Sequence, residues 1–521
     1  MKKLILFTLS ILIVSCAEPD FQETSNLENL IIKNRMDIQD SYELKKKFAL
    51  ALHAAMTDYV ELRDFIKREA LKEFNGDFDI LYNYVKSERV GDYTFRGLLL
   101  NYFDSEEELD QIEYSIPSLT IFVPELPNDS FSANLWETES EIPLVAIRLV
   151  EYDKTPIISS NSDSFLLDHD MVPGFPIVVI KENERITTPD NSGYSLNDTR
   201  EYSSSNGFKF KFIDSYFNNI TGEYVSRRNK RRNKTISNAP KFLVDAWELY
   251  GQYQNLGWHR DYIYYGLQPQ VDEGPYINDY SEHFSNFRIE GSTGMDALSK
   301  ISQPSSVTTQ FTDPLLNTNW IAGTSNGPNQ ASFWTDGKFD FNVITDYEQN
   351  TTPLSKFFDA RPEDLFTIIY EPHSINGFVG WWFYRVVDVE QKAMPLNLEI
   401  RPWSLHSIAN EWRFRVFEVD ANVNNTYTTQ NAYKRNTNFQ FTDKKIGWQF
   451  GASNETTNTQ TKQVVFKEES NDLGDADVFF GDNVIIDLNQ INTWFFTINN
   501  YQLRRYTSGS YSFSLIPLKV Q

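Results

Sequence analysis

The chain is predicted to be a multidomain α+β protein: an N-terminal helical unit, then a small β domain, then a mainly-β C-terminal part that is β-sandwich or jelly-roll-like. Three observations carry this. Apolar residues recur at helical spacing between about 40 and 104, and short runs of β-branched and aromatic residues bounded by turn residues follow from about 116. Ten of the 11 tryptophans lie beyond residue 240, among further strand signals. With 521 residues, 40% of them hydrophobic and 15% aromatic, the chain is long enough for two or three domains with large cores.

The helical unit is assigned to 40–110. Leu44, Phe48, Ala51, Leu52, Ala55 and Met56 mark one amphipathic face. Asp58 with Glu61 three residues on has the form of a capping box, opening a second helix that turns Leu62, Phe65, Ile66 and Ala70 inward and is closed by Asn75-Gly76. Asp77 is expected to cap a third helix through Ile80, Leu81 and Tyr84. His53 lies near the apolar face and is expected to pack there rather than do chemistry.

The small β domain, 111–200, rests on Leu119–Pro124, Pro143–Arg148 and Pro176–Ile180, the last following a Pro-Gly turn. Residues 201–240 are predicted to be a linker that contains the one strong basic run, Arg227 to Lys234. The aromatic-rich β-sandwich region is assigned to 241–521. Within it, 332–341 is expected to form a hairpin around Asp336-Gly337, and 378–387, 413–419 and 493–498 to form strands.

The first residues have a different character. Residues 1–15 combine Lys2 and Lys3 with a short apolar run, Leu4 to Val14, too short to span a bilayer as a stable helix. Ile13-Val14-Ser15-Cys16 resembles the bacterial lipobox. The resemblance implies that 1–15 is a lipoprotein signal peptide, that Cys16 carries the lipid, and that 16–39 is an acidic and polar tether. Several acyl chains, each buried methylene contributing about 0.8 kcal/mol, give durable anchoring. Cys16 is the only cysteine, so a lipidated Cys16 leaves no thiol for a disulfide, a nucleophile or a zinc site. No later stretch is apolar enough for a second membrane span.

A net charge of −24 argues against nucleic acid and anionic lipid surfaces as partners. There is no H-E-x-x-H, P-loop or dinucleotide fingerprint. Gly323-Thr324-Ser325-Asn326-Gly327 matches G-x-S-x-G, but proline follows where a nucleophile elbow needs a helix. Asp168-His169-Asp170 is the densest histidine–carboxylate cluster and needs a loop to converge on a metal. Glu468, Glu469, Asp472, Asp475, Asp477 and Asp482, with glycines between them, form a candidate structural calcium site, because calcium takes six to eight oxygens from flexible loops. The aromatic cluster from Trp247 to Tyr265 contains Trp258, His259, Arg260, Asp261 and Tyr262, a candidate ligand platform. Sugar rings stack on flat aromatics while neighbouring polar groups bind hydroxyls; the same residues also suit a core or an interface.

The lipobox and the acidic residues after it, Glu18 and Asp20, resemble those of Bacteroidota surface lipoproteins. The stretches Trp258 to Gly266 and Glu469 to Gly474 are similar to uncharacterised members of that group. The resemblance implies an outer-membrane, lipid-anchored protein on the cell surface rather than the periplasmic face, and it brings no known catalytic residues. The expected function is a non-catalytic surface binding protein, with a glycan or a protein as ligand and a glycan tested first. The alternatives are an envelope hydrolase acting on a polymer, or an adhesive or pore-forming protein with Ser/Thr/Asn-rich hairpins near Ala452 to Val465.

Overall fold

The structure, a computed structural model, describes residues 38–149, 154–159, 164–188, 200–220, 239–253, 257–266, 276–302, 320–321, 333–347, 353–374, 382–404, 411–419, 429–437, 458–466, 471–492 and 497–520. Cys16, the tether up to residue 37, the basic run, the Gly323–Gly327 motif, Glu468 and Glu469 lie outside them, and the last two residues assigned to the tether, 38 and 39, open the first helix. The fold is α+β with a mainly-β C-terminal part. No helix among the described residues is long and apolar enough to cross a membrane.

The first helix, Ile38–Asp58, lays its apolar face over the strands Leu144–Ile147 and Lys154–Ile158. Its neighbour, Val60–Ala70, begins at Tyr59 with no side-chain cap. The expected Asp58–Glu61 capping box therefore does not form; Asp58 instead accepts a hydrogen bond of 2.6 Å from the Tyr102 hydroxyl. The helix expected after Asp77 is also replaced. Asp79–Leu81 is a strand that pairs antiparallel with Thr120–Phe122, and only one helical turn, Tyr82–Val85, follows. Tertiary pairing that buries all three strand residues overrides the local helical pattern.

That strand is the edge of a seven-stranded mixed sheet. The order is 79–81, 119–122, 177–182, 144–147, 154–158, 165–168 and 320–321. Strand 177–182 runs antiparallel to 119–122 and parallel to 144–147. Its strands read as continuous apolar runs rather than alternating ones because both faces are covered. Helix Glu106–Ser115 runs across the 110/111 boundary, and the helices and this sheet share one core.

Beyond residue 276, two four-stranded antiparallel sheets face each other. One has the order 394–401, 280–289, 511–519, 506–507; the other has 354–360, 339–346, 411–418, 471–479. Phe284, Phe287 and Phe513 of the first meet Phe341, Phe358 and Phe414 of the second at ring separations of 4.9 to 6.3 Å. This aromatic layer accounts for part of the ring-rich composition: each ring buries a large area in a two-layer β arrangement. The expected hairpin at 332–341 is not made. Phe333–Thr335 is a 3-10 turn, Gly337 takes a left-handed φ of +89°, and strand Phe339–Asp346 pairs with 354–360 and 411–418 instead.

The two halves of the chain are stitched together. Met171–Pro173 pairs with Phe383–Arg385, and Trp320-Ile321 pairs in parallel with Leu166-Leu167. Charges reinforce the seam. Arg185 donates to both oxygens of Asp340, at 2.7 and 2.8 Å, with neither side chain exposed. Lys181 lies 3.3 Å from Asp79 and 3.1 Å from Glu184, and Asp77 accepts from the Lys338 backbone N–H at 3.0 Å. Burial raises the Asp79 and Asp340 carboxyls above their usual range, whereas the charges of Lys338, Arg185 and Lys181 outweigh the burial of Asp77 and hold it low.

Candidate functional site

Helix Lys241–Gln252 turns Leu243 and Ala246 into the core. One turn further along, the helix forms one wall of an open groove of about 460 Å³, lined by Trp247, Glu248, Tyr250, Gly251 and Gln252. Asn483 and Ile486, from the turn into strand Ile485–Asn492, form the other wall. This volume falls within the range of small-molecule sites. Helical spacing places Trp247 and Gly251 along one line, with Tyr250 flanking it on one side and Glu248 and Gln252 along the line on the other. The groove therefore has an aromatic shelf with a polar edge.

The aromatic rings of the shelf are held from behind. Trp247 meets Tyr501 edge-on at 6.0 Å. Tyr250 stacks on the His259 ring at 6.1 Å and meets Tyr262 edge-on at 5.9 Å. Both are half-buried, with one side committed to packing. Rings fixed in this way lose little further freedom when a ligand arrives.

The five residues singled out from sequence lie behind that wall. Trp258 is half-buried between Trp403, at 6.0 Å, and Phe479, at 5.5 Å. His259, Arg260 and Asp261 are fully buried, and Tyr262 is buried. The His259 Nε2–H donates to the Leu243 carbonyl at 3.2 Å, and its Nδ1 accepts the Val484 N–H at 3.3 Å, so the neutral tautomer is fixed. Burial pushes its pKa down to about 3.

Arg260 donates to both oxygens of Glu282, at 2.9 and 3.2 Å, and to the carbonyls of Asp482 and Leu515, each at 3.1 Å. Asp261 accepts the Trp258 N–H at 2.8 Å, while its other oxygen is buried without a partner. Burial raises its pKa to about 7. The motif thus braces the groove helix against the sheets, and His259, Arg260 and Asp261 offer no surface to a ligand.

Of the calcium candidate, Asp472, Asp475, Asp477 and Asp482 lie among the described residues. Asp475 and Asp477 sit on strand Asn471–Phe479 opposite Arg415 and Arg413. Each takes a two-pronged pair, at 2.5 and 3.0 Å for Asp475 and 2.6 and 2.7 Å for Asp477. Asp472 caps the Gly474 N–H, and Asp482 lies 3.8 Å from Arg504. The strand thus aims Asp475 and Asp477 at arginines of the neighbouring strand. Among the described residues no group of three or more His, Cys, Asp or Glu is placed to hold a metal. Asp168-His169-Asp170 occupies a tight turn between strands, where His169 Nδ1 lies 2.9 Å from the Asp168 carboxylate, both buried.

No protein-family model, no curated protein and no solved structure matches this chain, so the site's chemistry is read from its own residues. The sequence singles out the aromatic stretch that flanks the groove but not Glu248, Gly251, Gln252, Asn483 or Ile486. A glycine inside a strongly helical stretch was the available signal.

Proposed function

We propose that this protein is a lipid-anchored envelope protein, held at the outer membrane through Cys16 and facing the cell surface, that binds a glycan without cleaving it. The groove carries the reading. It sets two braced aromatic rings, Trp247 and Tyr250, beside a carboxylate and two amides, from Glu248, Gln252 and Asn483. Flat aromatic faces suit the C–H faces of sugar rings, and the flanking groups suit hydroxyls. Glu248 is the one carboxylate among the described lining residues. Glycoside hydrolysis ordinarily takes two carboxylates across a cleft, so the groove favours binding over turnover.

A membrane-inserting hairpin has less support. Strands Thr429–Thr437 and Asn458–Phe466 pair over their full length. By register, Arg435 and Lys462 fall on one alternate set and Lys434 on the other. A lipid-facing strand surface needs an apolar set.

The test uses soluble chain beginning at Ala17, titrated with a panel of neutral, amino and acidic oligosaccharides and followed by calorimetry and product analysis. Saturable binding without products, lost in Trp247→Ala, is the expected outcome. Binding that survives Trp247→Ala, or the appearance of cleaved products, overturns it.

A further inference from the structure

Gly251 needs an explanation that its own backbone does not provide. Glycine in a helix is less favourable than alanine, so it is retained where a side chain is forbidden or the backbone is left-handed. At most of the other described glycines one of these holds. Gly207, Gly337 and Gly509 have φ of +86°, +89° and +95°. A Cβ at Gly294 would fall 1.6 Å from the Val389 carbonyl oxygen, and one at Gly174 would lie 2.9 Å from the Trp382 carbonyl oxygen. Gly251 has an ordinary helical backbone, and a Cβ there would meet nothing within 4 Å. Nothing among the described residues requires it to be bare.

What it does is widen the groove. Gly251 lies one helical turn beyond Trp247 on the same line, so the shelf runs from the indole onto uncovered backbone. Glycine serves where a ligand must approach the main chain closely. The polar edge one line over holds Glu248, the only charged group among the described lining residues, in a chain of net charge −24.

We infer that the groove selects sugars that are uncharged or carry an amino group, lying flat from Trp247 across the bare backbone of Gly251, and that it rejects uronic acids at Glu248. This rests on the glycan-binding reading above and adds the class of sugar and the residue that sets the fit. A carboxylate on the ligand would meet Glu248 as a like charge, whereas an ammonium or hydroxyl would be bound by it.

The experiment compares Gly251→Ala, Glu248→Gln and Trp247→Ala in the soluble chain. The probes are cello-oligosaccharides, chitosan oligomers and oligogalacturonate, and thermal unfolding is measured alongside calorimetry. Gly251→Ala is expected to unfold at the same or a higher temperature yet bind the neutral or amino probe at least tenfold more weakly. That combination does not arise from structural damage. Glu248→Gln is expected to weaken the amino probe and to relieve the exclusion of oligogalacturonate.

If Trp247→Ala abolishes binding while Gly251→Ala binds as tightly as wild type, the close-approach inference fails and the glycan reading stands. If oligogalacturonate binds wild type as well as the neutral probe does, the charge selection fails. If none of the probes binds, both the glycan reading and this inference are overturned.

Discussion

Arg260→Met tests whether the Trp258–Tyr262 motif is a brace or a ligand platform. The wild-type guanidinium is fully buried, makes two bonds to Glu282 and two to backbone carbonyls, and lies 4.7 Å over the Phe480 ring. Burial works against its charge, yet Glu282 outweighs burial and holds Arg260 above its ordinary pKa. Methionine keeps the bulk and removes every donor. Glu282 would then be a buried carboxylate with a single hydroxyl donor, Tyr264, at 3.1 Å. Breaking a buried pair from one side costs about 3–5 kcal/mol, chiefly because the surviving charge is uncompensated. Neutralising that charge as well, in Arg260→Met with Glu282→Gln, removes most of the penalty and leaves roughly 1–2 kcal/mol for the lost carbonyl bonds. Urea unfolding followed by tryptophan fluorescence reads both variants. A single variant within about 1 kcal/mol of wild type, or a double variant no more stable than the single, refutes the brace and returns Arg260 to the list of ligand contacts.

Two other measurements bear on the same molecule. Asp261, with its pKa raised to about 7 by burial, binds more protons folded than unfolded between about pH 4 and 7, so its contribution to stability falls as pH rises through that window. Asp261→Asn keeps the bond from the Trp258 N–H and removes the charge. Its stability advantage over wild type should widen by roughly 2–4 kcal/mol from pH 4 to pH 8, and a constant gap would contradict the raised pKa. The comparison needs the variant, because His259, with its pKa lowered to about 3, shifts wild-type stability in the opposite direction between about pH 3 and 6.5. For the anchor, Cys16→Ser should move the protein from the detergent phase to the aqueous phase on partitioning, and unchanged membrane association would exclude Cys16 as the lipid site.

The elements legible from sequence were those whose burial leaves a one-dimensional trace. The face of Leu44, Phe48, Leu52 and Met56 gave the long helix, and the apolar runs at 119–122, 144–147 and 177–182 gave central strands. Distant partners decided what was missed. Asp77 has the local form of a helix cap, but its carboxylate is engaged by the Lys338 N–H across the seam, and Asp79–Leu81 is drawn into a sheet by Thr120–Phe122.

Asp336-Gly337 has hairpin chemistry and does turn, but strand 339–346 pairs with the strands that follow it, 354–360 and 411–418, and not with residues before the turn. Trp258 to Tyr262 carried the right residue types for a glycan site because rings and hydrogen-bonding groups serve a buried brace equally well. Only Glu282 and the Val484 N–H show which use is made of them. Trp247 and Tyr250 sit one turn beyond the buried Leu243 and Ala246, and composition alone cannot tell a ring facing in from one half facing out.

The pairing of Tyr280–Ile289 bears on how the chain is made. That strand lies between 394–401 and 511–519, and its bonds run from Tyr280 to Lys519 at one end and from Ile289 to Tyr511 at the other. A ribosome completes Tyr280–Ile289 long before its neighbour Tyr511–Lys519 exists, so one edge of the sheet stays open until that last strand is made. Such non-local pairing closes slowly. For a soluble cytosolic protein the delay would be a hazard, because open edges recruit wrong partners. For a precursor that must be threaded through a membrane unstructured, as the proposed signal at Cys16 requires, it is an advantage. The topology itself keeps the C-terminal sheet from closing until its last strand is made, which would keep a precursor carrying the proposed signal competent for export.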